Sequence, residues 1–296
     1  MALGRVTLLG AFCLLALHQS HSFTHPMPIA KFAPSHLAKG YRYVGSSSGV
    51  VLTMSTDIER PKLVEKVSVV LLAGGVGSRM KADRPKQFLE LLGRPVLDHT
   101  IDLFRSLRGV DQIILVLDEQ YRPNYQSVSD EEPRLKFADP GKERQDSVCN
   151  GLSLVGEGAS LVCVHDAARP LVTPENIHQV IADAEEHGAA VLGVPMKATV
   201  KESADGEFVL RTIPRSRLWE IQTPQVIKPD LLREGFKKVA EESLEVTDDV
   251  SIIEALGLPV KITMGEYTNI KLTTPDDMDV AEQILKVRAE KQAIAA

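Results

Sequence analysis

The residues best suited to chemistry in this 296-residue chain are concentrated in one loop. Leu71-Leu72-Ala73-Gly74-Gly75-Val76-Gly77-Ser78-Arg79-Met80 ends an apolar run in a turn almost free of side chains, and Pro85-Lys86-Gln87 follows closely. Bare backbone N–H groups attract anions, and Arg79 and Lys86 add two positive charges. The loop therefore suits a triphosphate, with Ala73, Gly74, Gly75 and Gly77 as backbone contacts. Two common phosphate motifs do not fit. A P-loop needs Lys and then Ser or Thr directly after its last glycine, whereas Ser78-Arg79 follows Gly77. A dinucleotide fingerprint needs a third glycine where Met80 stands.

Further polar clusters lie downstream. His165-Asp166-Ala167-Ala168-Arg169-Pro170 closes an apolar run with a carboxylate and a guanidinium. Asp166 suits Mg²⁺, which takes oxygen ligands and few of them from protein; the plainer reading is a helix cap. Arg169 either guides a phosphate or pairs with an acid. His165 reads as a structural histidine. Gly141 and Ser147 flank Lys142-Glu143-Arg144-Gln145-Asp146, a loop-to-helix entry. Thr223-Pro224-Gln225 and Asn269-Ile270-Lys271 complete the set. No Ser/His/Asp arrangement for a protein nucleophile is suggested. Such a set fits phosphoryl or nucleotidyl transfer, which relies on positioning and electrostatics.

The elements that must position these groups alternate from about residue 66 onward. Val67–Leu72, 112–117, Leu135–Ala138, 160–164, 189–196 and 260–264 read as strands. Helices are expected over 95–107, around Val148, Leu152 and Val155, and after Thr173-Pro174, Pro229, Thr247 and Thr274-Pro275. Alternation of this kind predicts an α/β fold: a Rossmann-like, mostly parallel twisted sheet with helices on both faces. Ligands in such sheets bind at the carboxyl ends of strands, where the glycine loop and His165-Asp166 both fall. One segment breaks the pattern. Residues 199–203 and 207–213 flank Ala204-Asp205-Gly206, a hairpin signal that predicts a projecting arm at about 197–218.

Composition narrows the class. The chain is 25% charged and 44% hydrophobic, as globular proteins are. Its first 56 residues hold Arg5, Lys31, Lys39 and Arg42 and no acid, so the remainder carries 30 cations against 40 acids. That balance argues against a nucleic-acid partner. Residues 6–17 form a short apolar run after Arg5, in the form of a signal peptide, and a basic, Ser-containing, acid-free stretch follows through Thr56. Residues 1–60 are therefore expected to be a targeting presequence and 61–296 the catalytic domain, with no membrane association in the mature form. Plain secretion is the alternative. Outside that presequence only Cys149 and Cys163 remain, too few for a disulfide framework.

The glycine loop with Pro85-Lys86-Gln87, the His165–Pro170 run, Thr223-Pro224-Gln225 and Asn269-Ile270-Lys271 occur in the order found in 2-C-methyl-D-erythritol 4-phosphate cytidylyltransferases, and the chain resembles that family from about residue 67 to 286. The resemblance implies transfer of CMP from CTP to the polyol phosphate, with release of pyrophosphate and with Mg²⁺ or another divalent cation. It implies catalytic roles for Arg79, Lys86, Arg215 and Lys271. Nucleotide contacts would come from Ala73, Gly74, Gly75, Gly77, Gly141, Ser147 and Ala167, and substrate contacts from Asp166, Arg169, Thr199 and Thr223. It also implies a homodimer whose hairpin arm offers Thr199 and Arg215 to the neighbour's substrate. The signal-then-transit order resembles bipartite presequences of plastids acquired by secondary endosymbiosis, which implies the plastid stroma. Two positions depart from the family pattern: Lys142 stands where an acid is frequent, and Thr268 replaces an aspartate. Two other readings stay open: the same chemistry on another polyol phosphate such as ribitol 5-phosphate, and a non-catalytic nucleotide sensor. Ala168 and the presequence favour the first-named substrate over ribitol 5-phosphate.

Overall fold

The computed structural model describes residues 45–46, 49–50, 64–75, 80 and 84–295. The chain divides into Met1–Glu59 and Arg60–Ala296. In the first unit the described residues are a short antiparallel pair, Gly45–Ser46 with Gly49–Val50. The expected signal and transit segments otherwise lie outside the described residues.

The second unit is built on strands β1 (Val67–Leu72), β2 (Val110–Val116), β3 (Leu135–Ala138), β4 (Leu161–Asp166) and β5 (Ala189–Pro195). Two short strands follow, β6 (Val200–Glu202) and β7 (Arg211–Ile213), then β8 (Trp219–Ile227) and β9 (Lys261–Met264). Seven of them form one sheet in the order β9-β5-β8-β4-β1-β2-β3. Only β8 runs antiparallel to its neighbours; the other pairs are parallel.

The strand sequences explain this arrangement. In β1, β2 and β4 nearly every residue is buried, the pattern of strands covered on both faces. Side chains alternate between two cores with period two. Val69, Leu71, Ile113, Leu115 and Cys163 face α1 (Val96–Ser106) and α4 (Pro174–His187). Val70, Ile114, Val116, Val162 and Val164 face α3 (Arg144–Ser153), α5 (Pro229–Glu242) and α6 (Asp249–Ala255). A short α2 (Gln126–Glu131) precedes β3, and α7 (Pro275–Ala295) packs Met278, Ala281, Ile284 and Leu285 against Leu91 and Leu272. Helix α4 shows its boundaries in sequence. Thr173 Oγ1 accepts the Asn176 N–H, Pro174 occupies the first turn, and Gly188 ends the helix at φ 88°.

The predicted alternation matches this sheet to within a residue or two at most boundaries, and the chain has the predicted α/β class. Val155 lies just past α3 rather than within it. The main omission is β8. Pro224 stands in its middle, and proline cannot donate to a ladder, so the sequence argues against a central strand there. The chain accommodates Pro224 with a cis Thr223–Pro224 peptide and a register shift between Ile221 and Gln225. The hairpin is present with shorter strands than expected. β6 pairs with β7 over three residues a side, and residues 203–210 form a long turn. Within it Asp205 Oδ1 accepts the N–H groups of Glu207 and Phe208, and Gly206 has φ 79°.

Candidate active site

The carboxyl ends of three parallel strands meet at one edge, because Leu72 is in register with both Val116 and Asp166. The exits from the strands are pinned: the Ala73 N–H donates to Val116 O at 2.9 Å, and the Ala167 N–H to Leu72 O at 3.0 Å. A cleft of about 250 Å³ opens there. Its wall includes Ala73, Gly74, Gly75, Lys86, Asp166 and Lys271, with Gly141, Arg144, Ser147, Ala167 and Ala168 opposite or beside them.

Glycine is required at two points of the wall. A Cβ on Gly74 would lie 2.4 Å from Pro140 Cβ, and one on Gly141 would lie 2.1 Å from Asp146 Cβ. The first contact seats the glycine turn against the 139–147 segment. The second lets the chain fold tightly into α3, where the Gly141 N–H donates to Ser147 Oγ at 2.9 Å and the Glu143 N–H to Asp146 Oδ2 at 2.9 Å.

Asp166 is the electrostatic hub. Its Oδ2 lies 2.7 Å from Lys271 Nζ and its Oδ1 3.3 Å from Arg144 Nε. Burial alone would raise its pKa, but Arg144, Lys271 and Arg169 outweigh burial and hold the carboxyl well below its ordinary range. It is an ionised carboxylate at neutral pH. Arg144 continues the network with a two-pronged pair to Asp249, Nη1–Oδ1 2.8 Å and Nη2–Oδ2 2.9 Å. Burial works against the Arg144 charge, yet Asp249 and Asp166 raise its pKa further. Burial, helped by Asp166 and Asp248, keeps the Asp249 carboxyl above its ordinary value while Arg144 pulls it down.

The Thr-Pro-Gln motif supports this hub from behind. The Asp166 N–H donates to Thr223 Oγ1 at 3.1 Å. Gln225 Oε1 accepts the N–H groups of Asp249 and Val250 at 2.9 and 3.0 Å, which fixes the start of α6. Asp248 caps that helix by accepting the Ser251 N–H, so Thr247-Asp248-Asp249 is a helix N-terminus as its sequence indicates. His165 is fully buried and its pKa is pushed down to about 4, chiefly by that burial. Its Nε2 faces the Arg169 carbonyl, an acceptor, and its Nδ1 faces the Thr223 hydroxyl. The neutral ring therefore carries its proton on Nε2 and accepts from Thr223 through Nδ1.

The structure brings together Ala73, Gly74, Gly75, Lys86, Gly141, Ser147, Asp166, Ala167 and Lys271 from the sequence-derived set. Gly77 and Arg79 lie outside the described residues. Thr223 is buried behind Asp166 and does not line the cleft. Arg169 is also behind it, with Nη1 donating to Asn269 O at 2.7 Å. Thr199 and Arg215 sit exposed at the base of the hairpin, away from the cleft lining, where Arg215 Nη1 donates to Lys197 O at 2.8 Å. Arg144 and Asp249 are the residues that sequence reasoning passed over. They pair across 105 positions, and the second aspartate of Thr247-Asp248-Asp249 was the signal, since one cap needs one acid. At the Thr268 departure, the hydroxyl accepts from Arg288 Nη2 at 3.0 Å and donates to Glu266 Oε2 at 3.0 Å, so Glu266 supplies a carboxylate two residues earlier.

A mostly parallel sheet whose strand ends gather Gly74, Gly75, Lys86, Asp166 and Lys271 on one wall is the arrangement of a nucleotidyltransferase, the class to which the following relatives belong. The family description "2-C-methyl-D-erythritol 4-phosphate cytidylyltransferase" matches residues 67–287. A protein of that name from Oryza sativa subsp. japonica, described as chloroplastic, is 47% identical over 276 residues, covering 88% of this chain and 93% of the relative. One from Alkaliphilus oremlandii is 41% identical, covering 77% of this chain and 98% of its own. The crystal structure of a 4-diphosphocytidyl-2C-methyl-D-erythritol synthase from Anaerococcus prevotii superposes with a TM-score of 0.68 at 28% identity, covering 75% of this chain and 96% of that one. The cytidylyltransferase from Thermus thermophilus gives 0.62 at 32% identity, with 75% and 99% covered. The chain belongs to the 2-C-methyl-D-erythritol 4-phosphate cytidylyltransferase family.

Proposed function

We infer that the cleft transfers CMP from CTP to 2-C-methyl-D-erythritol 4-phosphate and releases pyrophosphate, a step in isoprenoid precursor synthesis. The observation that carries this reading is the meeting of the Gly74-Gly75 turn, Lys86, Asp166 and Lys271 on one wall. A phosphate oxygen of the polyol attacks the α-phosphorus of CTP, and the bond to the β-phosphate oxygen breaks. Both reactants are anionic, so charge neutralisation dominates the barrier. Lys86 is assigned to the triphosphate, as is Arg79 from its place in the sequence motif. Lys271 is assigned to the incoming phosphate, and Asp166 holds its ammonium in place at 2.7 Å. Gly141 and Ser147 are assigned to the cytosine. No general base is required, and His165, buried and neutral, is not one.

Nucleotidyltransferases generally use divalent cations, and Mg²⁺ is the ion we assign here. Asp166 fits it. The carboxylate lines the cleft, stays ionised, and keeps lone pairs beyond those engaged by Arg144 and Lys271. Mg²⁺ usually takes one or two protein carboxylates and fills its other positions with phosphate oxygens and water. When bound it supplies positive charge to the phosphates.

The assembly we propose is a homodimer joined through the hairpin. Phe208, Val209 and Leu210 at its turn are 73%, 60% and 63% exposed, a run of apolar side chains in the open. Arg215 and Thr199 at its base would then serve the neighbour's substrate. Plastid targeting is proposed from the acid-free N-terminal segment and from the chloroplastic rice relative. Pyrophosphate release measured side by side with 2-C-methyl-D-erythritol 4-phosphate and ribitol 5-phosphate tests the reading. Preference for the former is expected. Preference for the latter would reassign the substrate, and tight CTP binding with no release from either would make the chain a sensor.

A further inference from the structure

Two limbs of the proposed triphosphate cradle come from separate stretches of chain: the turn at Ala73–Gly75 and the turn at Lys86–Phe88. Gln87 joins them. It is 3% exposed, points inward from the second turn, and its Nε2 donates to the Ala73 carbonyl at 2.5 Å. A carbonyl only accepts, so the amide nitrogen is the atom that faces it. The Ala73 N–H is itself bound to Val116 O, so the carbonyl that Gln87 grips is fixed to the sheet. On the other side of Lys86–Phe88, the Phe88 ring packs at a tilt against Tyr121, centroids 4.5 Å apart, and lies 6.2 Å from Tyr125. The Tyr125 hydroxyl donates to Asp98 at 3.0 Å. Two backbone bonds, Phe88 N–H to Pro85 O and Leu89 N–H to Lys86 O, close the turn itself.

We propose that Gln87 is a positioning residue for Lys86: its amide sets the distance between the lysine ammonium and the backbone N–H groups of the glycine turn. The aromatic contact fixes where the Lys86–Phe88 turn rests on the body. The Gln87 bond ties that turn to the other limb of the cradle. A preorganised cation stabilises a transition state because nothing has to move when charge develops. A lysine that must first find its place loses that advantage and affects turnover more than nucleotide binding. The proposal rests on the reading of Lys86 as a triphosphate contact.

The test compares Gln87→Met, Lys86→Ala and the double variant in the full chain, with kcat, KM for CTP and the thermal midpoint for each. Gln87→Met keeps the volume and removes the donor. The expected result is a kcat at least tenfold lower, KM for CTP within about threefold, a midpoint near wild type, and a double variant no slower than Lys86→Ala alone. Near-normal kcat for Gln87→Met beside a disabled Lys86→Ala would overturn the positioning role. So would losses that multiply in the double variant, since Gln87 would then act independently of Lys86. Near-normal turnover by Lys86→Ala would instead remove the reading of Lys86 and the Gln87 proposal with it. If Gln87→Met does not fold, Gln87→Leu, which also lacks a donor, is read by the same criteria.

Discussion

The cleft and the hairpin arm differ in how completely the chain satisfies them. In the cleft the buried charges are answered from within: Asp166 by Arg144 and Lys271, Arg144 by Asp249, and the start of α6 by Gln225. The arm carries Phe208, Val209 and Leu210 in the open, and its ion pair between Arg211 and Glu202 is exposed. Exposed pairs of that kind contribute about 0.2–1 kcal/mol, whereas breaking a buried pair costs about 3–5 kcal/mol. The buried network behind the cleft is thus complete within one chain, and the arm is the surface through which we propose that the dimer forms.

The largest effect is expected from breaking the buried support of the cleft. Asp249→Ala leaves Arg144 without its two-pronged partner and should destabilise the fold by about 3–5 kcal/mol in a urea unfolding series. Turnover of the folded fraction should fall as well, because Arg144 would swing on Asp166. The next effect is confined to chemistry. Lys86→Ala should lose about two to three orders of magnitude in kcat with an unchanged unfolding midpoint, since groups of this kind are worth about 3–4 kcal/mol each. A near-normal rate would remove Lys86 from the reaction.

A third expectation concerns pH. His165 is neutral when folded, with its pKa pushed down to about 4 from the ordinary 6.5. Between those values the unfolded chain binds a proton that the folded chain refuses, so stability falls as pH drops from 6.5 to 4, by roughly 3 kcal/mol. Asp166 acts lower: its depressed pKa gives stability that is full above its unfolded value of 3.8 and fades as pH falls further. Thermal midpoints of wild type and His165→Gln at pH 7 and pH 4.5 check this. The variant should lack most of the drop, and an equal drop in both would place the titration elsewhere.

The smallest effect tests the arm. Arg215→Ala subunits mixed with Lys86→Ala subunits should regain about a quarter of wild-type turnover, because random pairing leaves one intact site in half of the dimers. Absence of recovery would confine each site to one chain.

How much of this was legible in the sequence follows the same division. Buried strands such as Val67–Leu72 were readable as nearly continuous apolar runs. β8 was hidden because Pro224 argues locally against a strand that its neighbours on both sides impose. Within the site, Gly74, Gly75 and Lys86 declared themselves through their proximity in sequence. Arg144 and Asp249 did not, since each is unremarkable beside its own neighbours and gains meaning only when α3 and α6 meet. Gln87 was visible as a motif residue, but its role depends on an inward turn that spacing does not reveal.

The central claim is that the glycine turn and Lys86 hold the triphosphate of CTP while Lys271 presents a second phosphate. A crystal structure with CTP bound tests it most directly. The account predicts phosphates against Gly74, Gly75 and Lys86, with the cytosine beside Gly141 and Ser147. Nucleotide density anywhere else on the protein, with that cleft left empty, would contradict it.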